Sequence, residues 1–468
     1  MIFFFKSIDQ IPGRGFLFVI ILCGLLSSAT VKAQLPTAKQ ISGKMKIGWN
    51  LGNTLEATWV PRNSFSTTTQ IAIDSVKAAG FNTVRLPVAW FYHSDTITSK
   101  IDVAWLAHVK KVVDYCIKDS MYVIINAHWD KGWLENRVNL ANKEKVNERQ
   151  LAYWTQIANY FKDYDSHLLF AGANEPNVSD ATGMSVLLSY HQTFINAVRA
   201  TGSKNSSRTL IIQGPSTDID NTNKLMNSMP SDQIANRLMV EVHYYTPWNF
   251  CGLNGDASWG KMFYYWGKGN HSTTDVTRNA TWGEESDMDK YLGLMKTKFI
   301  DKGIPVIIGE YGAFRRKLSP PSDQALHNAS IEYYYRYFMK SATSKGFVTY
   351  CWDTGGIFNF TTGRVNDRAV LNAIMQGAKD ATTGIAFLKD NTIELYPNPF
   401  TSSISLNTDI PDVIKRVTVF DMMGHQVETV EHPLNKNSMD IGFSLEPNLY
   451  IIQVYGEDWT KSFKVLKK

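Results

Sequence analysis

From about residue 45 to residue 380 one pattern recurs along the chain. A short apolar, β-branched run is followed by a stretch with apolar residues three and four apart, and then by a turn. The apolar runs are KIGWNLGNT (46–54), TVRLPVAW (83–90), MYVIINAHW (121–129), LLFAGANEP (168–176), RTLIIQGP (208–215), LMVEVHYY (238–245), IPVIIGEYG (304–312) and FVTYCWDTGG (347–356). Stretches such as VIIN and VIIGE are apolar at consecutive positions. That predicts strands buried on both faces, as in a parallel sheet. Helical spacing is read over 67–79, 102–119, 144–163, 185–201, 284–302, 323–345 and 368–379. Gly80, Gly202, Gly303 and Gly346 fall where a glycine closes a helix. Eight strands alternating with helices predict a (β/α)8 barrel, an α/β fold. A doubly wound open sheet is the competitor, but no GxGxxG follows the first run. Trp49, Asn50 and Asn53 stand there instead. The segment 246–283 after the sixth strand is long and rich in Trp, Tyr, Gly and Asn, as functional loops are.

Beyond about residue 385 the period changes. NTIELYPNPF (391–400), KRVTVFDMMG (415–424), NLYIIQVYG (448–456) and KSFKVLKK (461–468) read as short strands separated by turns. This predicts a small all-β sandwich over 391–468, joined through a linker at 383–390 to a barrel domain over 34–382. The sandwich carries no carboxylate or histidine cluster.

At the N-terminus, Lys6 and Arg14 precede an uncharged apolar run, 16–26, and Val31-Lys32-Ala33 offers small residues for a peptidase. Residues 1–33 are therefore read as a signal peptide, and the run is too short to span a membrane comfortably. No membrane span is expected in the mature protein.

The 468 residues are 44% hydrophobic and 19% charged, a globular composition. A net charge of +5 with dispersed Lys and Arg gives no footprint for nucleic acid. The chain has 13 Trp and 21 Tyr, which suit both large cores and the flat faces of sugars. Of four cysteines, Cys23 lies in the signal segment. Cys116, Cys251 and Cys351 form no CxxC pair, so neither a disulfide framework nor a zinc site is expected.

Barrel chemistry collects at the C-terminal ends of the strands. Those ends carry Arg85 and Trp90, then Asn126, His128 and Trp129, then Asn174 and Glu175, then His243 to Tyr245, then Glu310 and Tyr311, and finally Trp352 and Asp353. Each has a bland reading as core or rim. Six ends carrying ionisable and aromatic residues at one face do not, because buried polar groups are costly unless they satisfy one another. Glu175 and Glu310, each ending an apolar strand, are the pair that glycoside hydrolysis needs: one acid and one ionised carboxylate. Arg85 and the Tyr245 hydroxyl are expected to keep Glu310 ionised. Glu175 is expected to be protonated at rest.

The motifs GWNLGNTLEA (48–57), GFNTVRLPVAW (80–90), VIINAHWD (123–130), ANEPN (173–177), VHYYTPWNF (242–250) and VIIGEYGA (306–313) resemble glycoside hydrolase family 5, in the endoglucanase-type subgroup. The resemblance covers 46 to about 379. It implies a retaining mechanism with Glu175 as acid/base and Glu310 as nucleophile. Arg85, His128, Asn174, His243, Tyr245 and Trp352 are then substrate-binding: Asn174 holds the 2-hydroxyl, His243 and His128 orient the acid and the sugar, and Tyr245 and Arg85 position Glu310. Trp352 forms the floor on the non-reducing side. No cofactor and no metal are implied. Trp129 stands where many relatives have a second His. LYPNPF, VFDMMGHQV and KSFKVLKK resemble the C-terminal sorting domain of type IX secretion in Bacteroidota, which implies export and a secreted or surface-attached enzyme. A carbohydrate-binding sandwich is the alternative, but the tail has one Trp, Trp459, and no exposed aromatic row.

The expected activity is endo-cleavage of a β-1,4-glucan by a monomer. Alternatives are the same chemistry on xyloglucan, mixed-linkage glucan or mannan, a catalytically dead glycan-binding barrel, and a metal-dependent barrel hydrolase, for which ligand-spaced acidic partners of the histidines are missing.

Overall fold

The computed structural model describes residues 35–62, 67–320, 322–382, 393–408, 414–431, 438–456 and 460–468. The signal-peptide expectation, the linker 383–390 and Trp459 lie outside the described residues.

Eight parallel strands close into a barrel: β1 (Ile47–Leu51), β2 (Thr83–Leu86), β3 (Tyr122–Asn126), β4 (Leu168–Ala171), β5 (Leu210–Gln213), β6 (Leu238–Tyr244), β7 (Val306–Tyr311) and β8 (Val348–Asp353), with β8 paired to β1. Each expected strand is present, and several stop earlier than the apolar run does. β2 ends at Leu86, before Pro87, which has no N–H to continue the ladder. Trp90 therefore sits in the following loop.

Helices follow each strand, and their stripes explain their packing. In Val103–Lys118 the side chain of Asp102 caps the first turn by accepting from Ala104 N, while Trp105, Val109, Val112, Val113 and Cys116 form the buried face. Glycines 80, 202, 303 and 346 all have positive φ and close their helices as expected. Of the eight helices that alternate with the barrel strands, one escaped the sequence pattern. Ile219–Leu225, after β5, is short and polar and buries only Ile219 and Thr222, so its apolar period is too brief to read. Asp218 marks its start by accepting from Asn221 N.

Two apolar layers result. The outer one lies between strands and helices, with Val123, Ile125, Phe170 and Ile212 among its members. The inner one fills the barrel with Ile124, Leu169, Ile211, Met239, Ile307 and Tyr350. A short helix, Ala38–Ser42, joins the inner layer through Ala38 and Ile41. Its Ala38 N donates to Asn236 O, just ahead of β6, so it stoppers the N-terminal end of the strands.

The segment 246–283 is packed, not loose. Trp266 is fully buried among Phe250, Tyr333, Tyr334 and Tyr337, and its Nε1 donates to Gly283 O at 2.9 Å. Cys116, Cys251 and Cys351 are buried free thiols.

The C-terminal residues form two antiparallel sheets around one apolar cluster that includes Phe400, Leu406, Val417, Ile452 and Val465. One sheet holds β9 (Glu394–Tyr396), β10 (Ile404–Asn407) and β13 (Ser438–Ile441). The other holds β11 (Arg416–Phe420), β12 (Gln426–Glu431), β14 (Leu449–Tyr455) and β15 (Thr460–Leu466). β10, β12 and β13 were not expected. β12, QVETVE, is an edge strand without a buried position, so it lacks an apolar alternation to announce it.

Candidate active site

Six of the eight residues singled out from sequence converge at the C-terminal ends of the strands in one chain of polar contacts, and the other two, His128 and Trp352, stack on each other. Arg85, on β2, is fully buried and is the hub. Its Nη1 donates to Glu310 Oε1 at 3.0 Å and to Asn50 Oδ1 at 3.0 Å, and its Nη2 donates to Asn174 Oδ1 at 2.7 Å. The Tyr245 hydroxyl donates to the other Glu310 oxygen at 3.0 Å. His243 Nδ1 lies 2.7 Å from Glu175 Oε1 and 3.8 Å from Glu310 Oε2. One oxygen of Glu175, one of Glu310 and a ring nitrogen of His243 all lie within 4.8 Å of one another. That spacing is also one that could hold a cation among the described residues.

Local irregularities aim these groups. Between β6 and β7 the pairing runs Val242 with Ile308 and then His243 with Glu310, so Gly309 is an extra residue on β7. This bulge turns Glu310 toward His243. Past β4, the backbone of 171–178 is tied down from neighbouring loops. Ala173 N donates to Gln213 Oε1, Asn177 N to Glu135 O, and Ser216 N to Pro176 O. Glu175 is thus presented by a braced loop, with its side chain about half exposed (45%), while that of Glu310 is nearly buried (7%).

His128 stacks on Trp352 with ring centroids 5.8 Å apart and planes 12° apart, and its Nδ1 is 3.2 Å from Asn126 Nδ2. A Cβ on Gly52 would come within 2.9 Å of Trp352, so the glycine at the end of β1 leaves room for the indole. Around this centre, Trp59, Trp129, Trp248, Trp259, Trp282 and Phe314 are exposed on the segments that follow strands β1, β3, β6 and β7, with Trp248 opening a short helix, Trp248–Cys251.

The charges differ from the sequence expectation in one respect. Burial alone would push Glu175 up, but the hydrogen bond and charge of His243, with Arg85, outweigh it and hold Glu175 below the ordinary range. Burial pushes Glu310 up and the charge of Glu175 adds to this, against the pull of His243, Arg85 and Tyr245. Both shifts therefore run in the direction opposite to the expectation of a raised Glu175 beside a lowered Glu310. The expected neighbours of Glu310 are present, but burial overrides them, and His243 at Glu175 was not foreseen as an imidazolium. Burial lowers the proton affinity of His243, yet Glu310, Glu175 and Glu241 raise it to about 9. His128 goes the other way: burial and then the cations Arg85 and His243 push it well down, so it is neutral.

Two network members were missed. Asn50 anchors Arg85 and donates through Nδ2 to Gly309 O at 2.9 Å. Glu241 sits beneath His243, 2.9 Å from Arg85 Nε. The signal for Glu241 was present, since LMVEVHYY places a carboxylate inside an apolar strand that is buried on both sides. Asp353, also at a strand end, is structural. It accepts from Trp49 Nε1 and from the backbone N–H groups of Gly355, Ile357 and Phe358. Glu56, Asp130 and Glu135 are further buried acids near these loops, raised by burial to about 7, 7 and 8.

The family Cellulase (glycosyl hydrolase family 5) matches residues 42–356, and the secretion system C-terminal sorting domain matches 394–468. A xyloglucan-specific endo-β-1,4-glucanase of Bacteroides ovatus is 38% identical over 366 residues, covering 73% of this chain and 70% of the relative. Endoglucanase A of Paenibacillus barcinonensis is 33% identical over 384 residues, covering 73% and 90%. Among solved structures, a xyloglucan-specific β-1,4-glucanase from a ruminal metagenomic library superposes with a TM-score of 0.66 at 43% identity, covering 74% of this chain and 96% of that one. A barrel with this network, matched over this span, places the chain in glycosyl hydrolase family 5, as an endo-β-1,4-glucanase-type glycoside hydrolase that a type IX sorting domain directs to the outside of the cell.

Proposed function

We propose that the enzyme cleaves internal β-1,4 bonds of a glucan backbone by double displacement, with retention at the anomeric carbon. The supporting observation is the closeness of Glu175 and Glu310, whose oxygens approach within 4.8 Å. Retaining glycosidases hold their carboxyls about 5–5.5 Å apart, whereas inverting ones need about 6.5–9.5 Å to admit a water. Glu310 attacks the anomeric carbon as the bond to the leaving oxygen breaks, and Glu175 delivers a proton to that oxygen. A water then gives its proton to Glu175 and attacks the same carbon, which releases Glu310. Arg85 and Tyr245 hold Glu310 in line, Asn174 faces the 2-hydroxyl, His128 orients sugar hydroxyls, and Trp352 carries the ring on the non-reducing side.

Glu310→Gln tests this. Hydrolysis should be lost while oligosaccharide binding persists, and a 2-fluoro glycoside should label Glu310 in the native enzyme. Turnover by Glu310→Gln, or a first product with inverted anomeric configuration, would overturn the reading. A second reading, that the preferred glucan is the substituted xyloglucan, is favoured by the 43% and 36% identities to solved xyloglucan-cleaving enzymes. The exposed aromatic rim also suits a broad, decorated chain. Comparing kcat/KM on xyloglucan, carboxymethyl cellulose, mixed-linkage glucan and glucomannan separates the two.

A further inference from the structure

Glu241 belongs to neither half of the displacement, yet it touches what holds both. It is fully buried on β6 inside the barrel. Its Oε1 lies 2.9 Å from Arg85 Nε, an ion pair off the line of a hydrogen bond, and 3.3 Å from His243 Nε2. Its Oε2 accepts from Gln213 Nε2 at 2.6 Å. Room for it is built into the neighbouring strand. A Cβ on Gly309 would lie 1.9 Å from Glu241 Oε1, so the bulge residue that aims Glu310 is also the glycine that admits this carboxylate. A buried third carboxylate is destabilising unless fully partnered, and here Arg85, His243 and Gln213 partner it.

We propose that Glu241 is a positioning residue of the hydrolysis, fixing His243 as a doubly protonated ring whose Nδ1–H is the proton store for Glu175. This rests on the reading of Glu175 as acid/base. The groups facing His243 are Glu241 on its own strand, Glu175 beyond β4, Glu310 on β7 at 3.8 Å, and the more distant Arg85 and His128. With both ring nitrogens set against carboxylates, the cationic ring is favoured, and its proton lies 2.7 Å from Glu175 Oε1. In the free enzyme the hydrogen bond and charge of His243, with Arg85, hold the half-exposed Glu175 ionised against its partial burial. A glycan laid over it removes the remaining water, which raises the proton affinity of Glu175. The Nδ1–H bond then breaks as the Glu175 O–H bond forms, leaving a neutral ring still held through Nε2–H by Glu241. The proton passes on to the leaving oxygen, and the one taken from water in the second step refills the pair. Glu241 also explains why Arg85 can serve Glu310 without being neutralised by it alone.

The test is the pH profile of kcat/KM. In E241Q the plateau should fall about 10–100-fold, as for other groups that orient a functional side chain. The alkaline limb should move toward acid by at least half a pH unit, because a charge that holds the His243 proton is gone. E241D should restore the limb, and G309A, which displaces the carboxylate, should shift it as E241Q does. A lowered plateau with an unmoved alkaline limb in a folded E241Q would overturn the proposal. Should E241Q not fold, histidine nitrogen-15 NMR of the native free enzyme decides: His243 protonated on both nitrogens at pH 7 supports it, and a neutral ring overturns it. If the acid/base reading itself failed, Glu175→Gln would keep full turnover whatever the NMR showed.

Discussion

At the N-terminal end of the barrel, Ala38, Ile41 and Met45 meet Ile124, Leu169, Ile211, Met239 and Ile307 in an apolar stopper. At the C-terminal end of the same strands, Arg85, Glu241, His243 and Glu310 are buried side by side, with Glu175 at the rim. The first end is stabilised by removing apolar surface from water, about 25 cal/mol per Å². The second is maintained against desolvation by mutual pairing, and replacing its charges by well-packed apolar groups would cost little stability or even add some. One end is therefore built for the fold and the other at the expense of the fold. Substitutions at the two should separate stability from turnover.

The largest effect is expected at the rim. Glu175→Gln should lower kcat on natural glucans by roughly 10²–10⁴-fold with an unchanged melting temperature. A melting temperature that fell along with kcat would mean that the two ends are not separable. Next, Arg85→Met should destabilise by about 3–5 kcal/mol in denaturant titrations, because Glu241 and Glu310 are left buried without their cation. A neutral result would show that the network tolerates loss of its hub. At the opposite end, Ile41→Ala should cost about 2–4 kcal/mol while leaving kcat/KM within about twofold. A comparable loss of activity would contradict the division. Trp352→Ala should raise KM about tenfold, a loss of about 1.4 kcal/mol, with kcat less affected, as measured on cello-oligosaccharides. Smallest is the pH dependence of stability. His243 has its proton affinity raised in the folded state, to about 9. Its stabilising contribution is complete below about pH 6.5, the unfolded value, and is lost as pH rises through 9. Melting temperature should decline across that window, and the decline should flatten in His243→Gln. An identical slope in the variant would assign it to other groups.

Eight strands and seven of the eight barrel helices were legible because a strand buried on both faces must be apolar at consecutive positions and a helix packed on it must show a stripe. Ile219–Leu225 was not, because it buries two residues. The site residues were legible as a set, since polar groups ending apolar strands at one face need a reason. Their proton states were not. Those depend on distances, such as His243 to Glu175 at 2.7 Å, and on a bulge at Gly309 that no periodicity announces.

By itself the sequence determined the alternation of strand and helix, the barrel with its all-β tail, and which end would carry the chemistry. Side-chain periodicity and residue type are local properties of a chain. Only the tertiary structure decided that Asn50 and Glu241 complete the network, and that His243 is set against Glu175 and lowers its proton affinity. It also decided that an apolar helix stoppers the far end of the barrel. Each of these depends on groups distant in the chain coming within a few ångströms, where burial and charge act together.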